Sequence, residues 1–334
     1  MYSDTKAKVM SPDGETDLFD ILAGVLQGDT LAPYLFVIVI DYIMRTATDG
    51  QEHLGFTLKE GRSCRLPRKV NKDVHETKII MDTDYADDLC LMSDTLAQAQ
   101  EFLKRVEVAA ADVGLVINEK KTEYMSFNQT GNALITQSNE ELKKVEDFKY
   151  LGSWINTTEQ DLKVRIGKAW AACIKLNTIW KSHLKRKLKI QFFRATVESV
   201  LLYGSECWTL TVQQQKRLDG CYTRLLRACQ NINWRQKITN KVLYGGLPPV
   251  SETLRARRLG FAGHCFRAKD ECINNILLWK PAHGKRKVGG PAKIYTDLLE
   301  DDTGCNLEEL AVQMADRKEW SKVVTKNRPR SRPK

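Results

Sequence analysis

The spacing of apolar residues changes partway along this 334-residue chain, and that change limits the fold more than any other feature. Up to about residue 155 the apolar residues come in short runs broken by Gly, Asn and Asp, the pattern of strands and turns around a few packed helices. Beyond that point they recur every three or four residues over long stretches, the pattern of amphipathic helices. The expectation is therefore an α+β first part followed by a mostly helical remainder. Charge changes at the same place. Residues 1–160 hold 17 Lys and Arg against 27 Asp and Glu, a net −10, whereas residues 161–334 hold 35 against 15, a net +20. One reading is an acidic body that holds cations, joined to a basic part that holds a polyanion; the other is solvated helix faces rich in Lys and Arg.

Particular segments carry these patterns. Pro33 suits the first turn of a helix, and the nearly continuous apolar run behind it predicts a buried helix over 33–46. Before it, residues 24–30 form a glycine-punctuated loop whose backbone can approach another molecule closely. Segments 78–83 and 89–92 read as strands of a hairpin with an acidic tip at Asp84, Tyr85, Ala86, Asp87 and Asp88. An amphipathic helix is expected over 95–113, capped by Ser93 or Asp94 and ended by Gly114, with strand-like segments at 116–117, 122–127 and 147–155. Further helices are expected over 161–180, 189–203, 212–229, 251–266 and 306–325, and 284–291 reads as a basic linker.

Several classes are excluded. The longest apolar run, Tyr34 to Ile40, falls far short of the ~20 residues that cross a bilayer, and the charged start lacks a signal peptide's apolar stretch, so no membrane partner is expected and the chain reads as intracellular. Nine cysteines without a CxxC pair indicate reduced, packing thiols. His264, Cys265, Cys272 and His283 are too irregularly spaced for a zinc finger or ribbon. Trp170, Trp180, Trp208 and Trp234, interleaved with basic residues, suit a helical core better than base stacking.

Adjacent aspartates at a hairpin tip are candidate ligands for Mg²⁺, which prefers hard carboxylate oxygens. A DD pair alone is more often a plain surface turn. Here it sits between apolar strands, after a Gly-rich loop with its helix and before an Asn118–Thr122 turn. In that order the segments resemble the reverse transcriptases of non-LTR (LINE-like) retrotransposons. Gly24-Val25-Leu26-Gln27-Gly28-Asp29-Thr30 through Asp41 resembles the motif beneath template and incoming nucleotide, and Tyr85-Ala86-Asp87-Asp88 the catalytic YADD box. Gly114 to Thr122 resembles the next palm motif, and Phe148-Lys149-Tyr150-Leu151-Gly152-Ser153 the primer grip. The likeness extends through Leu201 to Trp208, thumb-like, and Arg258 to His264.

The resemblance implies a partial polymerase palm over 1–155, a helical thumb-like region over 156–245 and a basic helical C-terminal region over 246–334. It implies RNA-directed DNA synthesis with Mg²⁺ or Mn²⁺, on an RNA template and DNA primer, from deoxynucleoside triphosphates. Asp87 and Asp88 are its metal ligands, Lys121 its general acid (with Lys120 as the alternative), Gln27, Gly28, Tyr85 and Ala86 its nucleotide and template contacts, and Tyr150, Leu151 and Gly152 its primer grip. Asp82 and Asp84 are expected to be solvated acids. The fingers and the palm strand bearing a further aspartate precede the Gln27-Gly28 loop in that family, and none of the 23 residues before Gly24 reads as that strand. The chain is thus expected to be inactive alone, with exposed apolar surface where those parts would pack. A non-catalytic nucleic-acid-binding relic and a host-reused interaction protein are the alternatives. The sequence leaves oligomeric state open.

Overall fold

A computed structural model of the chain describes residues 5–12, 14–21, 24, 28–58, 78–128, 131–155, 157–268, 271–279 and 293–326. These fall into two units, one drawn from Met1–Thr57 and Ile79–Glu146, the other from Leu58–Lys78 and Asp147–Lys334.

Two helices organise the first unit. Leu96–Asp112 buries Phe102, Val106, Ala109 and Ala110, and Ala32–Thr48 meets it with Ile43, Met44 and Ala47. Small residues on both sides let the helices approach closely. The Leu96–Asp112 helix is capped by Thr95, whose hydroxyl accepts the Gln98 N–H, rather than by Ser93 or Asp94. Asp94 is engaged elsewhere: its carboxylate receives the Thr57 N–H at 3.2 Å. The Gly114 expected to end the helix does so at φ 76°, and the Leu115 N–H returns to the Ala110 carbonyl.

The Ala32–Thr48 helix is not buried all round, as its apolar run suggested. Tyr34, Val37, Ile38 and Tyr42 are exposed on the side away from Ile43 and Ala47. Among the described residues of this unit a single long helix packs against it, and one partner covers only a stripe of a helix.

The strands pair in twos. Segment 122–127 shortens to Glu123–Tyr124, paired in parallel with Lys143–Lys144. Residues 116–117 are irregular, although Ile117 packs on the core. Segment 147–155 is a hairpin of Phe148–Tyr150 and Ser153–Ile155.

The second unit is that hairpin plus helices. Its main core joins Leu162 and Ala169 of Thr158–Lys175, Phe193 of Arg186–Phe193 and Leu218, Leu225 and Leu226 of Val212–Cys229. A second core forms around Leu259, Leu299, Met314 and Trp320. Trp180 and Trp208 are buried, as a helical-core role requires, while the Trp234 side chain lies outside the described residues. Cys173, Cys221 and Cys229 are buried free thiols.

Three expected helices are interrupted. The one over 161–180 breaks at Leu176 into Thr158–Lys175 and Asn177–Lys181. The one over 189–203 is Arg186–Phe193 followed by a π-helical turn, Arg194–Glu198, then Ser199–Leu201. The extra residue of the π turn brings Glu198 inward, where its carboxylate accepts the Tyr222 hydroxyl at 2.6 Å. The one over 306–325 breaks at Asp316, whose carboxylate accepts the Lys318 N–H at 2.7 Å and so starts the Arg317–Lys326 helix. The whole is mixed helix and small sheets, the α+β class expected, with no described helix long and apolar enough to cross a membrane.

Candidate active site

The acidic tip is a tight hairpin. Asp82–Tyr85 and Asp88–Leu91 pair antiparallel from Asp82↔Leu91 to Tyr85↔Asp88, which leaves Ala86 and Asp87 as the turn. The strands reach farther toward the tip than their apolar residues indicated, because backbone pairing continues through the polar Asp84, Tyr85 and Asp88. Ala86 has φ 57°, a conformation that costs a residue with a Cβ about 1 kcal/mol. Tyr85, Asp87 and Asp88 are exposed.

Register separates the four aspartates. Directly opposed residues share a face, so Asp84 lies with Leu89 and Asp82 with Leu91. Leu89 and Leu91 pack against the helix-pair core. Asp82 is part-buried rather than the solvated acid expected, whereas Asp84 is exposed, as expected of a solvated acid, with the strand beneath it shielding one side. Burial raises the Asp82 carboxyl above its usual value; burial first, and then the neighbouring Asp82 charge, pushes Asp84 up to about 6.

Gln27 lies outside the described residues. Gly28 has φ 95°, and a Cβ there would meet nothing of the chain within 4 Å, so backbone conformation rather than space inside the fold selects glycine. Beyond it the Asp29 carboxylate accepts the Leu31 N–H at 3.1 Å and turns the chain into the helix. Lys120 and Lys121 are exposed on a turn in which the Lys121 and Thr122 N–H groups both donate to the Asn118 carbonyl. Glu119 pins that turn, taking hydrogen bonds from the Ser138 and Thr136 hydroxyls that hold its carboxyl below the usual range.

Tyr150, Leu151 and Gly152 belong to the Phe148–Ile155 hairpin. Tyr150 pairs with Ser153, leaving Leu151 and Gly152 as a two-residue turn with φ 47° and 80°. Positive φ at both turn residues is the type I′ signature, which Asn-Gly fills without strain and Leu does not.

The metal chemistry fits in donor type. Asp87 and Asp88 offer hard, exposed oxygens, and Mg²⁺ is ordinarily held by one or two carboxylates, with water and substrate phosphates completing its shell. Among the described residues no group of three or more His, Cys, Asp or Glu forms a closed cage.

Residues 5–155 match the family model for reverse transcriptase (RNA-dependent DNA polymerase), a span that contains both hairpins and the Lys121 turn. A transposon-derived protein of Caenorhabditis elegans is 27% identical over 263 residues, 73% of this chain and 94% of that protein. The retrovirus-related Pol polyprotein of the type-1 retrotransposable element R2 of Popillia japonica is 22% identical over 236 residues, 67% of this chain and 30% of the polyprotein. No solved structure matches. Residues 5–155 are thus similar to the reverse transcriptase family, over just under half of the chain. Both relatives are products of transposable elements by name, and the chain spans under a third of the R2 polyprotein.

Proposed function

We propose that the chain is a palm-and-thumb segment of an RNA-directed DNA polymerase that holds an RNA template paired with a DNA primer. The observation that carries this reading is the Asp87–Asp88 tip, exposed on a hairpin whose Leu89 and Leu91 fix it to the helix pair. The division into palm over 1–155, thumb over 156–245 and C-terminal region over 246–334 belongs to the same proposal.

Asp87 and Asp88 would hold the cations. Bound divalent ions supply Lewis acidity for the primer 3′-hydroxyl and charge neutralisation for the triphosphate. Around them Gln27, Gly28, Tyr85 and Ala86 form the nucleotide and template surface. Lys121 gives a proton, or its charge, to the departing pyrophosphate. Removing it with Lys121→Ala slows nucleotide addition by roughly 10²-fold to 10⁴-fold in a form of the protein that polymerises. Tyr150, Leu151 and Gly152 seat the primer end.

A second reading, a nucleic-acid-binding relic, is favoured by the donor set. In-line transfer between two metals takes acids from more than one strand, and the described residues bring only Asp87 and Asp88 to the tip. The test is primer extension by the 334-residue chain with Mg²⁺, RNA template, DNA primer and nucleotides, beside a binding titration over a range of salt. We expect sequence-insensitive binding that weakens steeply with salt, and no extension. Extension that disappears in Asp87→Asn establishes an enzyme complete in itself. Binding without any salt dependence removes the nucleic-acid reading.

A further inference from the structure

The Leu151–Gly152 turn is held from behind by side chains far away in sequence. The Tyr203 hydroxyl donates to the Leu151 carbonyl at 3.0 Å, across 52 residues. The Arg165 guanidinium donates through Nη2 to the Gly152 carbonyl. Both turn carbonyls are thereby engaged, which fixes the peptide planes of a two-residue loop almost completely.

The two clamping residues also hold each other. The Arg165 guanidinium carbon lies 4.3 Å from the centre of the Tyr203 ring, a cation–π contact. Arg165 is buried and faces Asp161, with Nε 3.6 Å from Oδ1. The other Asp161 oxygen accepts the Trp208 indole N–H at 2.7 Å, and the Trp208 carbonyl in turn accepts from Arg258. Next to Tyr203, Gly204 at φ 69° approaches Ser153 so closely that a Cβ there would collide with the Ser153 hydroxyl. The Tyr203-Gly204 pair thus touches the turn twice, once by a bond and once by having no side chain. At Gly152 a Cβ would come within 3.4 Å of both Arg165 and Tyr203.

Leu151 stands out against this support. It occupies a left-handed conformation and yet remains 39% exposed, so neither backbone preference nor core packing accounts for a leucine there. A strained, outward leucine on a turn whose carbonyls are tied down from behind is built to press on something outside the chain.

We infer that Arg165 and Tyr203 are positioning residues that present the Leu151–Gly152 turn to the recessed 3′ end of a primer. The inference rests on the primer-grip reading of that turn and adds the side chains that set its shape. Neither residue need touch the primer; each acts through a carbonyl of the turn.

The experiment titrates the full chain, at fixed salt, with a labelled RNA–DNA duplex carrying a recessed DNA 3′ end and with a blunt duplex of the same sequence. The wild-type chain is expected to prefer the recessed end. Tyr203→Phe keeps the ring and its cation–π contact but loses the hydroxyl. It should cut that preference about five- to tenfold, the scale of one hydrogen bond, with blunt-duplex affinity unchanged and the melting temperature lowered by no more than that one bond accounts for. Arg165→Lys retains charge and a donor and should keep most of the preference; Arg165→Met should lose it. Full preference in both Tyr203→Phe and Arg165→Met overturns the positioning role while leaving the primer-grip reading intact. No end preference in the wild-type chain overturns the primer-grip reading and the inference together.

Discussion

The acidic-tip hairpin and the Phe148–Ile155 hairpin both close with two-residue turns, and they are stiffened in opposite ways. The Asp82–Leu91 hairpin has four-residue strands and is anchored through Leu89 and Leu91, while among the described residues no side chain bonds to Ala86 or Asp87 at its tip. The Phe148–Ile155 hairpin has three-residue strands and owes the geometry of its tip to Arg165 and Tyr203. A turn that offers carboxylates to cations must leave them uncovered, so its rigidity comes from the strands below. A turn that offers backbone and one apolar side chain can be gripped by its carbonyls without hiding what it presents.

The sharpest way to break this contrast is to change what the bare tip offers. In a form of the protein that extends primers, Asp87→Asn should remove a metal ligand and several kcal/mol of transition-state stabilisation, a loss of ~10³-fold or more in turnover. Template affinity should stay close to wild type, because no phosphate contact is lost. Single-turnover extension beside a binding titration decides it, and a variant that still turns over at the wild-type rate refutes the ligand role.

Next in size is damage to the clamp. Gly204→Ala adds a Cβ against Ser153 at a position with φ 69°, and should cost about 2 kcal/mol in urea unfolding. Gly28→Ala, which meets no neighbour, should cost only the backbone penalty of about 1 kcal/mol. Equal losses would mean that close approach to Ser153 is irrelevant.

Smaller, and dependent on pH, is the effect of Asp84, the exposed acid at the base of the bare tip. The folded-state value of Asp84 is about 6 against an ordinary 3.8, so between these values the folded chain binds more protons than the unfolded one. Stability from this group is present at low pH and is lost as pH rises through about 6. Asp84→Asn should therefore stabilise the protein at pH 7 by about 1 kcal/mol, after discounting for solvent around the carboxyl, and the gain should vanish at pH below 3.8. A gain of the same size at both pH values would rule out a titrating carboxyl as its origin.

The smallest effect tests strain at each tip. Ala86→Gly and Leu151→Asn place residues tolerant of positive φ where the chain now has Ala and Leu, and each should add roughly 0.5 kcal/mol. Leu151→Asn should also weaken recessed-end binding, whereas Ala86→Gly should not. Equilibrium unfolding and the duplex titration separate the two results.

Much of this geometry was legible before any coordinates. Turn chemistry and apolar runs located the acidic tip, and an uninterrupted helical period marked Val212–Cys229 to the residue, whereas 147–155 read as one strand-like segment without its turn at Leu151–Gly152. Other features depend on pairings that local pattern does not encode. Which face Asp82 and Asp84 take follows from register across the hairpin, and a one-residue slip would reverse it. The π turn at Arg194–Glu198 rests on one residue whose carboxylate finds Tyr222 from another helix. The clamp joins residues 13 and 52 positions apart, a separation at which periodicity carries no information.

The absence of any described side chain bonded to the bare tip has a consequence for how such sequences age. Asp87 and Asp88 carry no share of the core, so in a lineage released from polymerisation substitutions there meet no resistance from folding. Arg165, Tyr203 and Gly204 are tied into the helical unit and stay under constraint for as long as the protein must fold. We expect decayed copies of this sequence to keep the clamp and lose the carboxylates. A set of copies in which Asp87 and Asp88 outlast Tyr203 and Gly204 would point to continued use of the acidic tip.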